Sequence, residues 1–336
     1  MSETESSIST IHTRAGRWFA GWQVRPWEAL GIRILFAWVV FTTLPLKGPI
    51  SGLFKEGSDF GPAGMVYYET QKAETGFAQW EDLTFMSNPD LQPVFWTLCG
   101  ASLLLLIFGR LLWIALPVLA TVSILARTLE NSQGFIQHHY QVGASVLTVL
   151  AIVSVLAAIR SLWKKVDHVQ LNSLLVRYAQ ITIIGAYAVA GLTKVIASEG
   201  EWIKNSPYFG LDLVKTSRQQ FYNSVPLMEE HRERKVDPPN LPPGSKELLA
   251  YPNFTRVALG AGLALELFCF IGLFNRWLLS LTGIALLVFH IMNEKFAGLS
   301  FGLNQQVLWV FMINPVYWIG AAWLYFRDRA NRAKSA

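Results

Sequence analysis

The sequence predicts an all-α fold: a polytopic bundle of about eight membrane-spanning helices with both termini on the cytoplasmic side. Three observations carry that expectation. The composition is 52% hydrophobic and only 15% charged, with 13 tryptophans and a mean hydropathy of +0.33, well away from a soluble average. Apolar runs of span length recur along the chain, and lipid tolerates such runs only as helices or closed barrels. Basic residues gather between alternate runs, as the positive-inside rule requires. The formal charge of +5 therefore encodes orientation and gives no reason to infer nucleic-acid binding.

Residues 1–28 are polar and then basic and aromatic, with Arg14, Arg17 and Arg25 ahead of Pro26 and Trp27. They read as a cytoplasmic segment. The run at 29–46 follows too much polar chain, and lacks too clearly a small-residue cleavage site, to be a cleaved signal; it is expected to stay as the first span. Residues 47–92 are acidic and broken by Gly and Pro, which predicts an outer loop with short helices. The next apolar stretch is too long for one span and is interrupted at Gly109-Arg110, which predicts two helices, 93–108 and 111–126, joined by a tight turn. Further spans are expected at 140–162, 174–197, 257–274, 277–296 and 301–326. A second outer loop covers 198–256, Pro-rich and charged in both signs, and residues 327–336 form a basic cytoplasmic tail.

Cys99 and Cys269 both fall inside apolar runs, which argues against a disulfide framework and leaves no metal-ligand spacing. The adjacent pair His138 and His139 would point to different helix faces, so no metal is predicted there either.

The polar residues within or beside spans are the informative ones. Tyr187 and Lys194 lie seven apart and share a helix face. Lys194 reads either as an interfacial anchor or as part of a site. In the eight-span arrangement His138, His139 and Tyr140 stand at the outer entrance of the fourth helix. His290, Asn293 and Glu294 close the seventh, and Asn304, Gln305 and Gln306 open the eighth. Ionisable groups in lipid are costly, so their coincidence at one depth marks a candidate site. Each also has a plainer reading: a histidine bonded to a neighbouring helix, or amides acting as interhelical glue. Glu266, in the middle of a span, and Arg33, one turn into the first, are candidates for structural pairing or a polar cavity. For Arg33 snorkelling to the interface is the simpler account.

Three local matches in chain order, YAVAGLTK, FHIMN and HHYQVG, resemble segments of the HTTM domain, the membrane part of vitamin K-dependent gamma-carboxylase and its bacterial relatives. Arg33 and Trp202 are similar too. The resemblance covers most of the chain. It implies Lys194 as the base that deprotonates a reduced, vitamin K hydroquinone-like quinone, with His138 and His290 as the other catalytic positions. His139 is the fallback should the register shift by one. Tyr187, Tyr140, Asn293 and His139 would line the cofactor. The implied chemistry uses O2 and the hydroquinone to generate a strong base for C–H deprotonation, with CO2 as the group added, a carboxylase or lyase-like activity. The carboxylase continues beyond its spans into a large luminal part that binds its peptide substrate, whereas this chain stops about ten residues after its last predicted span. Recognition of a peptide would then fall to 198–256 or to a partner.

Two other function classes stay open at this stage. One is a non-enzymatic factor in the maturation or export of a secreted peptide, since the same family includes a member linked to maturation of a peptide toxin. The other is a transporter, for which neither an internal inverted repeat nor paired broken helices speak. The expected partners are the bilayer and a secreted peptide or protein substrate, with no nucleic acid. The location is a cytoplasmic membrane if the source is bacterial, with the active face outward.

Overall fold

The computed structural model describes residues 22–44, 89–131, 141–164, 167–224, 240–241, 244–297 and 301–335. Among these the architecture is all-helical. The long helices are α1 (Pro26–Thr43), α2 (Gln92–Phe108), α3 (Leu112–Asn131), α4 (Gln141–Ser161) and α5 (His168–Ala197). Three short helices follow, α6 (Trp202–Asn205), α7 (Phe209–Ser224) and α8 (Ser245–Ala250). The chain then continues into α9 (Pro252–Phe268), α10 (Arg276–Ala297), α11 (Gly302–Val307) and α12 (Pro315–Ser335). Among the described residues, five stretches are long and apolar enough to cross a membrane: Gln141–Ser161, His168–Ala197, Pro252–Leu273, Arg276–Lys295 and Gly302–Ala333. Two shorter apolar helices cover Gln92–Phe108 and Leu112–Ala126. Their outer faces carry exposed Leu, Ile, Val and Trp side chains, the surface a lipid-facing bundle presents.

The turn expected at Gly109-Arg110 is there, and its chemistry is visible. Gly109 caps α2 in the left-handed region, φ 66°, and Arg110 N–H donates to Leu105 O at 2.9 Å. Glycine is required twice over, because a Cβ would also lie 2.8 Å from the guanidinium of Arg33. That guanidinium does not snorkel away. It donates from Nε to Ile107 O at 3.1 Å and from Nη1 to Asn172 Oδ1 at 3.0 Å, so Arg33 ties α1 to the end of α2 and to α5. Of the readings of Arg33, snorkelling does not hold: its guanidinium bonds inward, and the side chain also lines a small cavity with Asn172.

The final apolar run differs from a single continuous helix. After α11 the chain passes through a π-helical turn, Leu308–Ile313, and breaks at Asn314 (φ 49°) before Pro315 starts α12. Pro315 has no N–H to continue the ladder, and a π turn frees carbonyls that must find other donors in a dry interior. They find them: Gln180 Nε2 donates to Phe311 O at 3.0 Å, and the Ser280 hydroxyl donates to Ile313 O at 3.1 Å. This turn is the centre of the core. Leu308, Phe311 and Met312 are fully buried, and Phe311 meets Phe36 of α1 edge-on at 5.0 Å.

At the end of the bundle where α1 and α10 begin, Glu28 is 1% exposed and accepts from Arg276 Nη1 at 2.6 Å and from Asn314 Nδ2 at 2.8 Å. Arg276 also donates to Gln23 O at 2.8 Å and lies 4.2 Å over the ring of Tyr317. Beside it Arg177 stacks 4.0 Å over Trp22 and donates to Leu273 O at 3.0 Å. Charges taken out of water survive only when paired and hydrogen-bonded, and here the pairing joins α1, α10 and α12. Both cysteines are free and buried.

Candidate functional site

The candidate site begins with the shared face of α5. Tyr187, Gly191, Lys194 and Ser198 succeed one another at helical spacing, and this stripe looks across to α9 and α10. At Gly191 the two backbones approach closely: a Cβ there would lie 3.2 Å from the Cβ of Glu266 and 3.1 Å from Leu267. Gly262, one turn from Glu266, is covered by Phe289 of α10, whose ring would stand 2.3 Å from an added Cβ. The two glycines thus let α5, α9 and α10 draw together around their polar residues.

What they draw together is two pairs. Lys194 Nζ lies 2.6 Å from Glu266 Oε1 and 2.5 Å from Oε2, reaching both oxygens of the carboxylate. The Glu266 side chain is 6% exposed and that of Lys194 31%, so the carboxylate is sealed while the ammonium keeps an open side. On that side the ring of Trp202 lies 5.6 Å away. The second pair lies deeper: the Tyr187 hydroxyl and His290 Nε2 are 2.5 Å apart, both side chains buried. The His290 ring is flanked by Phe301 at 4.7 Å and Phe289 at 6.0 Å. Its Nδ1 has no hydrogen-bond partner among the described residues. A neutral imidazole paired through Nε2 always has one capacity left at Nδ1, as donor if tyrosine gives its proton and as acceptor if it receives one.

Of the residues singled out from sequence, Lys194 meets Glu266 and Tyr187 meets His290. Asn293 is half-buried one turn beyond His290 on α10. His138, His139 and Tyr140 lie outside the described residues. Gln305 donates to Glu294 at 3.3 Å, the Thr42 hydroxyl donates to Gln306 at 3.3 Å, and Asn304 is buried. That is the interhelical bonding expected of such amides. From its sequence position Glu266 reads only as a structural or cavity residue, yet it is the immediate partner of Lys194. The signal was available: a mid-span carboxylate needs a cation at its own depth, and few spans carry one. Among the described residues no group of three or more His, Cys, Asp or Glu converges as a metal site.

The two cavities of note lie elsewhere. One, of about 10 Å³, is lined by Phe36, Thr43, Ser123 and Leu147; the other, of about 30 Å³, by Arg33, Asn172 and Phe311. Each is water-sized. The polar groups brought together here are a buried imidazole nitrogen without a partner among the described residues and an amine-carboxylate pair, with the rings of Trp202 and Phe301 beside them.

No protein-family model matches the chain, and no curated protein or solved structure matches it.

Proposed function

We propose that the protein is an eight-span integral membrane enzyme of the HTTM, gamma-carboxylase-like kind, with both termini cytoplasmic and its site toward the outer face. The observation that supports this reading most is the convergence of Lys194, Glu266, Tyr187 and His290 from three helices at one place inside an apolar bundle. Polar groups are expensive there, and a purely structural contact would need only one pair. A reduced quinone held at this place would supply, together with O2, the basicity for removing a weakly acidic C–H proton ahead of CO2 addition.

The chain's own residues would divide the work as follows. Lys194 and Glu266 hold one dissociable proton between an amine and a carboxylate. Passing it to the carboxylate leaves a neutral amine, which takes a proton from a bound hydroxyl. His290, fixed by Tyr187, presents Nδ1 to orient a second hydroxyl. Trp202 flanks the lysine on its open side, and Phe301 flanks the ring of His290. The test is hydroquinone-dependent O2 consumption by the reconstituted protein. Activity above background that Lys194→Met abolishes supports the reading; equal rates for both proteins refute it.

One observation favours a second reading. The Lys194–Glu266 pair satisfies both charges without any ligand, as a lock between α5 and α9 would. On that account the protein is a non-enzymatic factor in maturation or export of a secreted peptide. Loss of peptide maturation on trimming residues 225–239, with Lys194→Met harmless, would favour it.

A further inference from the structure

Between the end of α5 and the start of α9 the short helices α6 and α7, the 3-10 turn Ser206–Tyr208 and α8 form one unit folded onto the bundle. One side of this unit is closed against protein. Ser206, Pro207, Leu213 and Ser245 are buried, and a Cβ at Gly210 would lie 2.5 Å from Ser245 O, so α7 and α8 are in backbone contact. Ile203 rests 3.7 Å from the Cβ position of Gly260, and Arg256 Nε donates to Lys204 O at 3.2 Å, which seats α6 along α9.

Among the described residues, the other side exposes large apolar side chains. Tyr208, Leu211, Tyr251 and Phe254 are each more than half exposed, with Lys204 and Lys215 beside them. Tyr208, Leu211 and Lys215 succeed one another at i, i+3 and i+7 and so share one face, with exposed Asp212 at its polar edge. The depth of this face follows from α9. Counting back from Arg276 through the 3-10 turn and α9, Val257 and Phe254 stand about 30 Å from the other end of the bundle, one hydrocarbon thickness. Phe254 and Val257 belong to a helix long and apolar enough to cross a membrane, and the turn Ser206–Tyr208 and α8 both pack against that helix.

Tyrosines that bury a ring and wet a hydroxyl, a leucine, and lysines whose stems snorkel outward are the set that settles at a headgroup boundary. We infer that the short helices of residues 202–224 and 244–254 lie in the membrane interface, with Tyr208, Leu211, Tyr251 and Phe254 seated in a lipid surface. Trp202 at the root of this unit then places Lys194 directly beneath the headgroup layer.

Nitroxide labels on cysteines introduced singly at Tyr208, Leu211, Phe254 and Arg329 test this in proteoliposomes. The first three side chains are exposed, so labels there leave the core intact, and the unsubstituted protein, whose Cys99 and Cys269 are buried, is the blank. Labels at Tyr208 and Leu211 should match Phe254, with collisions favouring dissolved O2 over an aqueous nickel chelate by about threefold relative to Arg329 in the charged tail. Nickel accessibility equal to that of Arg329 would put the unit in water and overturn the inference. Protection from both reagents would also overturn it, because a protein, including a second copy of this chain, would then cover the face.

Discussion

Each end of the bundle holds a buried glutamate that meets a cation, and the two meetings differ in how fully they are closed. Glu28 is 1% exposed, receives both Arg276 and Asn314, and its arginine is spread over Tyr317 and bonded to Gln23 O, so the carboxylate is sealed and only 14% of the arginine side chain reaches the surface. Glu266 receives Lys194 alone among the bonds described, and the lysine keeps one flank open toward Trp202. Chemically similar pairs thus do different things. An arginine fork with fixed geometry and no dissociable proton at working pH suits a joint, whereas a lysine beside an open angle suits proton exchange.

If the closed end is a joint, breaking it should cost most. Glu28→Ala leaves Arg276 and Asn314 without their carboxylate, and a loss of about 3–5 kcal/mol is expected, read as a fall in the midpoint of thermal or denaturant unfolding in micelles. Tyr187→Phe removes only the partner of His290 Nε2. A buried imidazole left unsatisfied should cost about 1–3 kcal/mol by the same measurement. Gly109→Ala, which forces a side chain into the left-handed region and against Arg33, is expected to lose about 1–2 kcal/mol from backbone strain. The smallest change in stability is expected where function is expected to change most. The double replacement Lys194→Met with Glu266→Leu exchanges the open pair for apolar volume and should leave unfolding unchanged or raised by roughly 1 kcal/mol, while abolishing hydroquinone-dependent O2 consumption. A double variant that unfolded like Glu28→Ala would erase the distinction between the two ends.

Much of the helical layout was legible in the sequence because apolar runs and a Gly-Arg interruption state it directly; the turn at Gly109 is an example. The break at Asn314 was not, because a π turn and an α-helix have the same apolar composition. Only Pro315, inside a run otherwise suited to one span, pointed to it. The seven-residue spacing of Tyr187 and Lys194 placed them on one face, but which face of α9 and α10 they meet depends on helix rotation, which Gly191 and Gly262 decide through close approach. Glu28 was hidden for a different reason. Next to Pro26 and Trp27 it looks like an ordinary first-turn acid at a helix start, and only the packing of α10 and α12 against α1 seals it from water.

The most direct test of the open pair is amine labelling of Lys194 in proteoliposomes, followed by mass spectrometry, with and without a short-chain hydroquinone. Lys194 reactive in the free protein and protected by the hydroquinone, while exposed Lys204 labels equally in both, is the result the account predicts. Labelling of Lys194 that the hydroquinone leaves unchanged would contradict it and return the lysine to the role of a lock between α5 and α9.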